Sequence, residues 1–245
     1  MPSMKTEVTE IADRIYRLAT FVPGVAGVGL GFNQFLIDAD EPLLFHCGPR
    51  GLFPSVAAAA ARIIDLARLR WITFSHVESD ECGALDEWLA AAPNAIAAHG
   101  RVGCNIWLND MAPRPPRVLA DNEVVDLGGK RMRRLDTPHL PHCWDAGLLF
   151  EETTGTLFTS DLFTQVGERP AMGGAEIVGD AIAVEKMLPF TSLTPAAAPT
   201  VRRLAALTPK TLAIMHGSSF HGDCAAMLET LAADYDNRLR ASLAG

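Results

Sequence analysis

One imidazole and three carboxylates fall within six residues, at a turn between an apolar run and a segment of helical composition. The run, residues 71–74, is typical of a buried strand, and the segment, residues 84–91, is typical of a helix. His76, Glu78 and Asp80 alternate, so an extended backbone would direct all three side chains the same way. So many carboxylates in one turn are unfavourable unless a positive group lies there. A helix N-terminus supplies only about half a charge, so the turn favours a metal centre.

The bulk properties of the chain exclude several classes of protein. The 245 residues suffice for one large α/β domain, and no composition break divides them, so we expect a single domain over residues 1–245. No apolar run approaches the ~20 residues that cross a bilayer, and the N-terminus lacks a signal-peptide pattern. The five scattered cysteines contain no Cys-x-x-Cys pair, which favours reduced thiols and a cytoplasmic protein. The net charge of −8 argues against nucleic-acid binding, and we expect no membrane partner.

The order of predicted elements indicates the fold class. Strand groups occur twice along the chain, and helices follow each group. We therefore predict an α/β (α+β) protein, an αββα sandwich of two mixed β-sheets packed face to face with helices outside. We also predict a helix over residues 53–69, a buried apolar stretch over 101–108 and a long loop beside the site over 165–180. The basic run 130–134 alternates like a strand with a solvated charged face, with anion binding as the less favoured interpretation.

Further candidate ligands follow predicted strands. His142, Asp161 and His216 each come at or just after a strand, and a sandwich would gather such loops on one edge. His139 competes with His142, but the spacing to Asp161 favours His142. His216 is favoured over His221, which lies near the start of the last helix.

This arrangement resembles a known family. The order His-x-Glu-x-Asp, then His, then Asp, then a strand-end His-Gly resembles the metallo-β-lactamase superfamily, and within it the flavodiiron proteins and their stand-alone oxygen-binding relatives. The matching residues lie in 76–85, 137–161 and 212–223. The resemblance implies a metallo-β-lactamase fold with two iron ions as cofactor.

The resemblance also assigns ligands. It implies that one iron is held by His76, Glu78 and His142, and the other by Asp80 and His216, with Asp161 as the bridge. Glu81 stands where that family usually has histidine, and it is a candidate either for a seventh ligand or for a carboxylate at the helix start. Beyond these metal ligands, no catalytic residue is expected.

The donor chemistry agrees with iron. Hydrolytic members of the superfamily have histidine at the position of Glu78, and a carboxylate there makes the site harder, which favours iron or manganese over zinc. The carboxylates of Glu78, Asp80, Glu81 and Asp161 sum to −4 and neutralise two divalent ions. Oxidation from Fe²⁺ to Fe³⁺ would leave excess positive charge, which a bound oxo or hydroxo group would balance. We predict a site that binds, senses or reduces O₂, with NO as a second candidate ligand.

Several residues are predicted to support the site. His46 and His139 are candidates for supporting positions around the ligands, and His221 is a candidate for lining the pocket. Trp144 and Phe163 are candidates for a dry wall over the metals, with a place in the ordinary core as the alternative. Cys82 and Cys143 neighbour predicted ligands, and for both we favour small-residue packing over thiolate ligation.

The partners follow from the same resemblance. Full flavodiiron enzymes carry a flavodoxin-like domain that feeds electrons to the iron pair, and this chain ends at Gly245, shortly after His216. We expect no bound flavin, and either an external electron donor or, for a sensor, a signalling protein. The alternative function is a metal-dependent hydrolase of the same fold, acting on a thioester, lactone or phosphodiester. The oligomeric state stays open, a homodimer included.

Overall fold

Two seven-stranded β-sheets form the centre of the protein. The computed structural model describes residues 4–244, except for the side chain of Ala26. The first sheet has the spatial order β1 to β7, with bounds Thr6–Ala12, Ile15–Val22, Leu30–Ile37, Leu43–Phe45, Trp71–Thr73, Ile96–Gly100 and Arg117–Leu119. The second has the order β12-β14-β13-β11-β10-β9-β8. In chain order, β8 to β14 are Val124–Asp126, Arg131–Asp136, Gly147–Glu151, Thr156–Ser160, Met172–Gly173, Thr211–Ile214 and Ser219–His221.

Helices cover the outer faces of both sheets. They are α1 to α8, with bounds Phe53–Ala60, Ser79–Cys82, Leu85–Ala91, Arg101–Gly103, Asn109–Met111, Ile177–Met187, Ala197–Ala205 and Cys224–Ala244. A π-helical segment, Cys104–Leu108, joins α4 to α5. Short 3₁₀ turns lie at Val25–Gly27, Arg50–Leu52 and Leu66–Arg68.

Buried side chains form three hydrophobic layers. One layer lies between the sheets, where Phe35 and Phe45 of the first sheet meet Phe158 of the second with edge-on rings. A second layer packs α1 and α3 on the first sheet, and a third packs α6, α7 and α8 on the second. These layers confirm the predicted αββα sandwich with mixed sheets.

Several local predictions were wrong. The helix predicted over residues 53–69 ends at Ala60, and Asp65 then accepts a hydrogen bond from the backbone N–H of Ala67 to start a 3₁₀ turn. Residues 101–108 are helical and expose Ile106 and Trp107. Gly103 lets this segment pack on the ring of His99, because a Cβ would lie 3.0 Å from that ring.

The predictions for the basic run and for the long loop were also wrong in part. Arg134 is buried and donates to the Asp136 carboxylate and to the Asp145 carbonyl, and Lys130 is buried against Asp13. Asp136 ends the same strand, and Asp13 and Asp145 lie in loops that pack against it, so strand alternation alone did not indicate the burial of Lys130 and Arg134. The segment 165–180 contains the short strand β12 and the first residues of α6. Within residues 4–244, no helix combines the length and the apolar character needed to span a bilayer.

Strand order brings the predicted ligand loops to one edge of the sandwich. Strands β11 and β13 are parallel neighbours, with Ser160 paired to Ile214, so Asp161 and His216 leave their strands at the same edge. Across the sheets, the backbone N–H of Asn33 in β3 donates to Met215 at 3.0 Å. The Asn33 amide donates to the carbonyls of Ile214 and Gly217 at 2.8 and 2.9 Å.

We expect Asn33→Ala to lower the free energy of unfolding by about 1–3 kcal/mol, because it removes two buried hydrogen bonds, to the carbonyls of Ile214 and Gly217, of which the Gly217 carbonyl keeps its bond from Arg17. Denaturant unfolding would measure the loss. The exposed Asn105→Ala is the matched control and should change the midpoint little. Equal effects of the two substitutions would show that Asn33 does not join the sheets.

Candidate metal centre

Four side chains form a first donor group at the edge of the sandwich. Nε2 of His76 and Nε2 of His142 each lie 3.0 Å from the Oε2 atom of Glu78. Both nitrogens lie 3.5 Å from Oδ2 of Asp161. One donor atom from each of the four residues lies within 4.8 Å of the other three, so the group can surround a single cation.

A second donor group shares the same aspartate. Nε2 of His216 lies 3.2 Å from Oδ2 of Asp80 and 3.2 Å from Oδ1 of Asp161. The two oxygens of Asp161 therefore face different groups: Oδ2 faces the first and Oδ1 the second. This is the geometry of a carboxylate that bridges two cations.

The backbone around these residues directs the side chains inward. Glu78 is extended and precedes α2, and its carbonyl accepts from the backbone N–H groups of Glu81 and Cys82. Gly83 closes this short helix, where a Cβ would collide with the Ser79 carbonyl oxygen. Ser160 has a φ of 51° at a register shift of β11, which turns the chain so that Asp161 points to the cluster.

Hydrogen bonds fix the orientation of two of the imidazoles. Nδ1 of His216 lies 2.8 Å from the Gly31 carbonyl oxygen, so it carries a proton and donates it, and Nε2 faces Asp80 and Asp161. Nδ1 of His76 lies 2.8 Å from Oγ of Ser75, on the side of the ring away from Glu78. Both rings thus present Nε2 to the donor groups.

Glu81 lies outside both donor groups. Its carboxylate is fully buried and accepts from the backbone N–H groups of Ser75 and His76 and from the hydroxyls of Ser75 and Ser160. Its Oε1 atom is 3.5 Å from Nδ1 of His76, the ring nitrogen opposite the donor group. The structure therefore brings six of the seven predicted ligands together. It places the seventh, Glu81, in the core behind the ring of His76.

Charge pairing shifts the ionisation of these groups. Burial opposes the charged form of His76, but Glu81, Glu78 and Asp161 outweigh it and raise its pKa to about 10. Asp161 and Asp80 likewise outweigh burial and raise the pKa of His216 to about 10. Hydrogen bonds from His142 and His76 hold the pKa of Glu78 well below its ordinary value. Protons thus balance the carboxylates when no metal is bound, and a cation could take their place.

The donor set fits a pair of hard or borderline cations. It contains three imidazoles and three carboxylates, and the shared Asp161 divides them between two positions. Cys143 lies near His76 and His142, with donor atoms within 4.8 Å of one another. Burial and nearby carboxylates raise the pKa of this thiol to about 11, which opposes thiolate formation.

A small apolar cavity opens onto both donor groups. Its volume is about 180 Å³. Five of the predicted ligands line it, all except His76 and Glu81. The rest of the lining consists of Leu30, Thr164, Val166, Val184, Leu188 and Phe190. Among residues 4–244, no lysine or arginine lines this cavity.

The predicted supporting residues fall in different places. His46 is fully buried and lies 3.5 Å from Glu81. Phe163 is buried in the core beneath the second sheet, whereas Trp144 is half exposed in a separate depression with Arg101 and Pro138. His139 is exposed, as is His221, which contacts the Thr211 hydroxyl. The structure thus brings only His46 close to the cluster.

Other contributing residues were not predicted. Ser75 and Ser160 hold Glu81, and each directly precedes a predicted ligand, a position that could have indicated their role. Leu30, the first residue of β3, and Phe190, in the segment after α6, line the cavity although they are far apart in sequence. Only the tertiary structure reveals their position.

Comparison with known proteins gives a consistent family match. The model of the family described as ODP family beta lactamase matches residues 30–217. A diflavin flavoprotein of Nostoc is 29% identical over 138 residues, covering 55% of this chain and 24% of the relative. The anaerobic nitric oxide reductase flavorubredoxin of Salmonella arizonae is 26% identical over 141 residues, covering 56% and 29%.

Solved structures match the fold over nearly the whole chain. A mutant of the flavo di-iron protein from Thermotoga maritima superposes with a TM-score of 0.81 at 19% identity, covering 94% of this chain and 62% of that one. The chain thus spans less than a third of the two relatives compared by sequence and about three fifths of this structural neighbour. The structural likeness supports the metallo-β-lactamase-type fold.

The pKa shifts predict how stability depends on pH. The raised pKa of His76 and His216 contributes stability that is complete below the ordinary value of 6.5 and is lost as pH rises towards about 10. We expect metal-free protein to lose unfolding free energy over this window, as measured by denaturant titrations in chelator. Protein saturated with metal should lose less, because cations replace the protons. Metal-free protein with constant stability from pH 6.5 to 9 would contradict the charge pairing described above.

Proposed function

Because the chain belongs to the family described as ODP family beta lactamase, we propose that it is a non-haem diiron protein that binds and reduces O₂, or NO, with electrons from an external donor. The single observation that carries this proposal is the small apolar cavity above two donor groups that share Asp161. A cavity of this size and lining suits a diatomic gas.

The donor residues have distinct roles in the proposed site. His76, Glu78 and His142 would hold one iron, Asp80 and His216 would hold the other, and Asp161 would bridge them. Bound iron would supply the redox equivalents and open coordination positions for the gas. Nδ1 of His76 is held by Ser75 and Nδ1 of His216 by the Gly31 carbonyl, so Nε2 of each ring already faces the donor groups. A cation would displace only the Nε2 proton, which reduces the reorganisation needed for binding.

The protein also controls what reaches the site. Leu30, Val184 and Phe190 line the cavity and keep its walls apolar. They limit the water around the donor groups and favour entry of an uncharged molecule. A thioester, lactone or phosphodiester would need polar or cationic groups to orient it, and among residues 4–244 the cavity lining offers no lysine or arginine.

Metal analysis of protein purified without oxygen from iron-fed cells tests the proposal. We expect two irons per chain and a ferric absorption band that bleaches on reduction and returns with O₂. Two zinc ions with turnover of a chromogenic ester or phosphodiester would instead establish the hydrolase. Sensing, in which O₂ binds without sustained turnover, would be distinguished by O₂ consumption under excess reductant.

Glu78→Gln should lower iron affinity at least tenfold, because it removes the negative charge that faces both His76 and His142. Metal content after dialysis against a weak chelator would measure the loss. The exposed Glu168→Gln makes the same chemical change away from the donor groups and should keep its iron. Unchanged iron content in Glu78→Gln would rule out Glu78 as a ligand.

Leu188→Trp should slow the reaction of the reduced protein with O₂ or NO several-fold, because the larger ring would occupy the cavity. Stopped-flow absorption would give the rate, and the iron content should stay constant. Met187→Trp places the same ring at the neighbouring exposed position and is the matched control. Identical rates for the two variants would show that the gas does not enter through this cavity.

A further inference from the structure

We propose that Glu81 is a positioning residue for the first cation, acting on His76 through Ser75, and that the second cation position is one protein donor short. This inference rests on the proposed function, in that it requires the two donor groups to bind cations. It predicts that the two positions bind cations with different affinities.

Hydrogen bonds hold both carboxylate oxygens of Glu81 in the core. Oε2 accepts from the Ser75 hydroxyl at 2.5 Å and from the backbone N–H groups of Ser75 and His76 at 2.8 and 3.0 Å. Oε1 accepts from the Ser160 hydroxyl at 2.6 Å. The side chain has no exposed surface. Turning it towards the second donor group would leave the two buried backbone amides of Ser75 and His76 without their acceptor, a large free-energy cost.

The same contacts determine which nitrogen of the His76 ring faces the first cation. The Ser75 hydroxyl has one proton, which it donates to Glu81, so its oxygen accepts from Nδ1 of His76 at 2.8 Å. Nδ1 is then protonated, and Nε2 is the nitrogen that faces Glu78 and Asp161 and would bind the cation. A carboxylate behind a metal-binding imidazole fixes its tautomer and raises its basicity. Here the carboxylate acts through one serine.

The donor counts of the two groups follow directly. The first group has four side chains, from His76, Glu78, His142 and Asp161. The second, within residues 4–244, consists of Asp80, His216 and the shared Asp161. The first also has Glu81 behind it, whereas the imidazole of the second is held by the neutral Gly31 carbonyl. We therefore expect the first position to bind cations more tightly and the second to exchange them more readily.

Anaerobic titration with Mn²⁺ as the probe tests this inference, by calorimetry and by the electron paramagnetic resonance signal of the free ion. The wild-type protein should bind two ions in two steps whose dissociation constants differ at least tenfold. Asp80→Asn should remove the weaker step and preserve the tighter one. Two equal steps in the wild type would overturn the unequal filling.

Glu81→Gln separates the two possible roles of this residue. If Glu81 positions His76, the tighter step weakens about 10- to 100-fold and the weaker step changes little. If Glu81 is instead a ligand of the second cation, the weaker step is lost, and the inference fails. Glu151→Gln is the matched control, since Glu151 is also fully buried and accepts from two threonine hydroxyls, but far from the donor groups.

Ser75→Ala keeps the inference testable if Glu81→Gln fails to fold. It retains the Glu81 carboxylate but removes the hydroxyl between that carboxylate and His76, so the tighter step should weaken alone. An unchanged tighter step would overturn the positioning role. If the wild-type protein binds no Mn²⁺ or Fe²⁺ at all, the proposed function fails, which is distinct from failure of this inference.

Discussion

The charge balance around Asp161 is the interaction on which the site depends. Its carboxylate faces imidazoles from three separate loops, those of His76, His142 and His216. Glu78 and Asp80 add further negative charge to the same edge of the sandwich. Without compensation these carboxylates would repel one another, and the raised pKa of His76 and His216 shows that protons can provide it. Cations in the same place would balance the charge and also hold the loops together.

Much of this arrangement could be predicted from the sequence. His76, Glu78 and Asp80 lie close together in one turn, and their alternation after an apolar strand indicated a shared direction. Asp161 and His216 each follow a predicted strand, and a sandwich was expected to gather such loops on one edge; that their strands are parallel neighbours is known from the structure alone. The fold class followed from the same order.

The rest depended on tertiary contacts that local patterns do not contain. Glu81 belongs to the same acidic turn as Glu78, yet the first turn of α2 directs its side chain into the core. There the hydroxyl of Ser160, from the other sheet, donates a hydrogen bond to it. Trp144 neighbours the His142 loop but lies half exposed in another depression. The cavity-lining Leu30 begins β3 and Phe190 follows α6, and the sequences of these two segments carry no sign of their proximity.

The division of the ligands between the two sheets has a consequence for how the protein matures. The first sheet supplies His76, Glu78 and Asp80, and the second supplies His142, Asp161 and His216. Each donor group draws on both sheets, so the amino-terminal half of a growing chain holds a complete set for neither cation. A cation at either donor group would therefore be acquired only after the two sheets have docked, and a nascent chain on the ribosome would not yet compete for it.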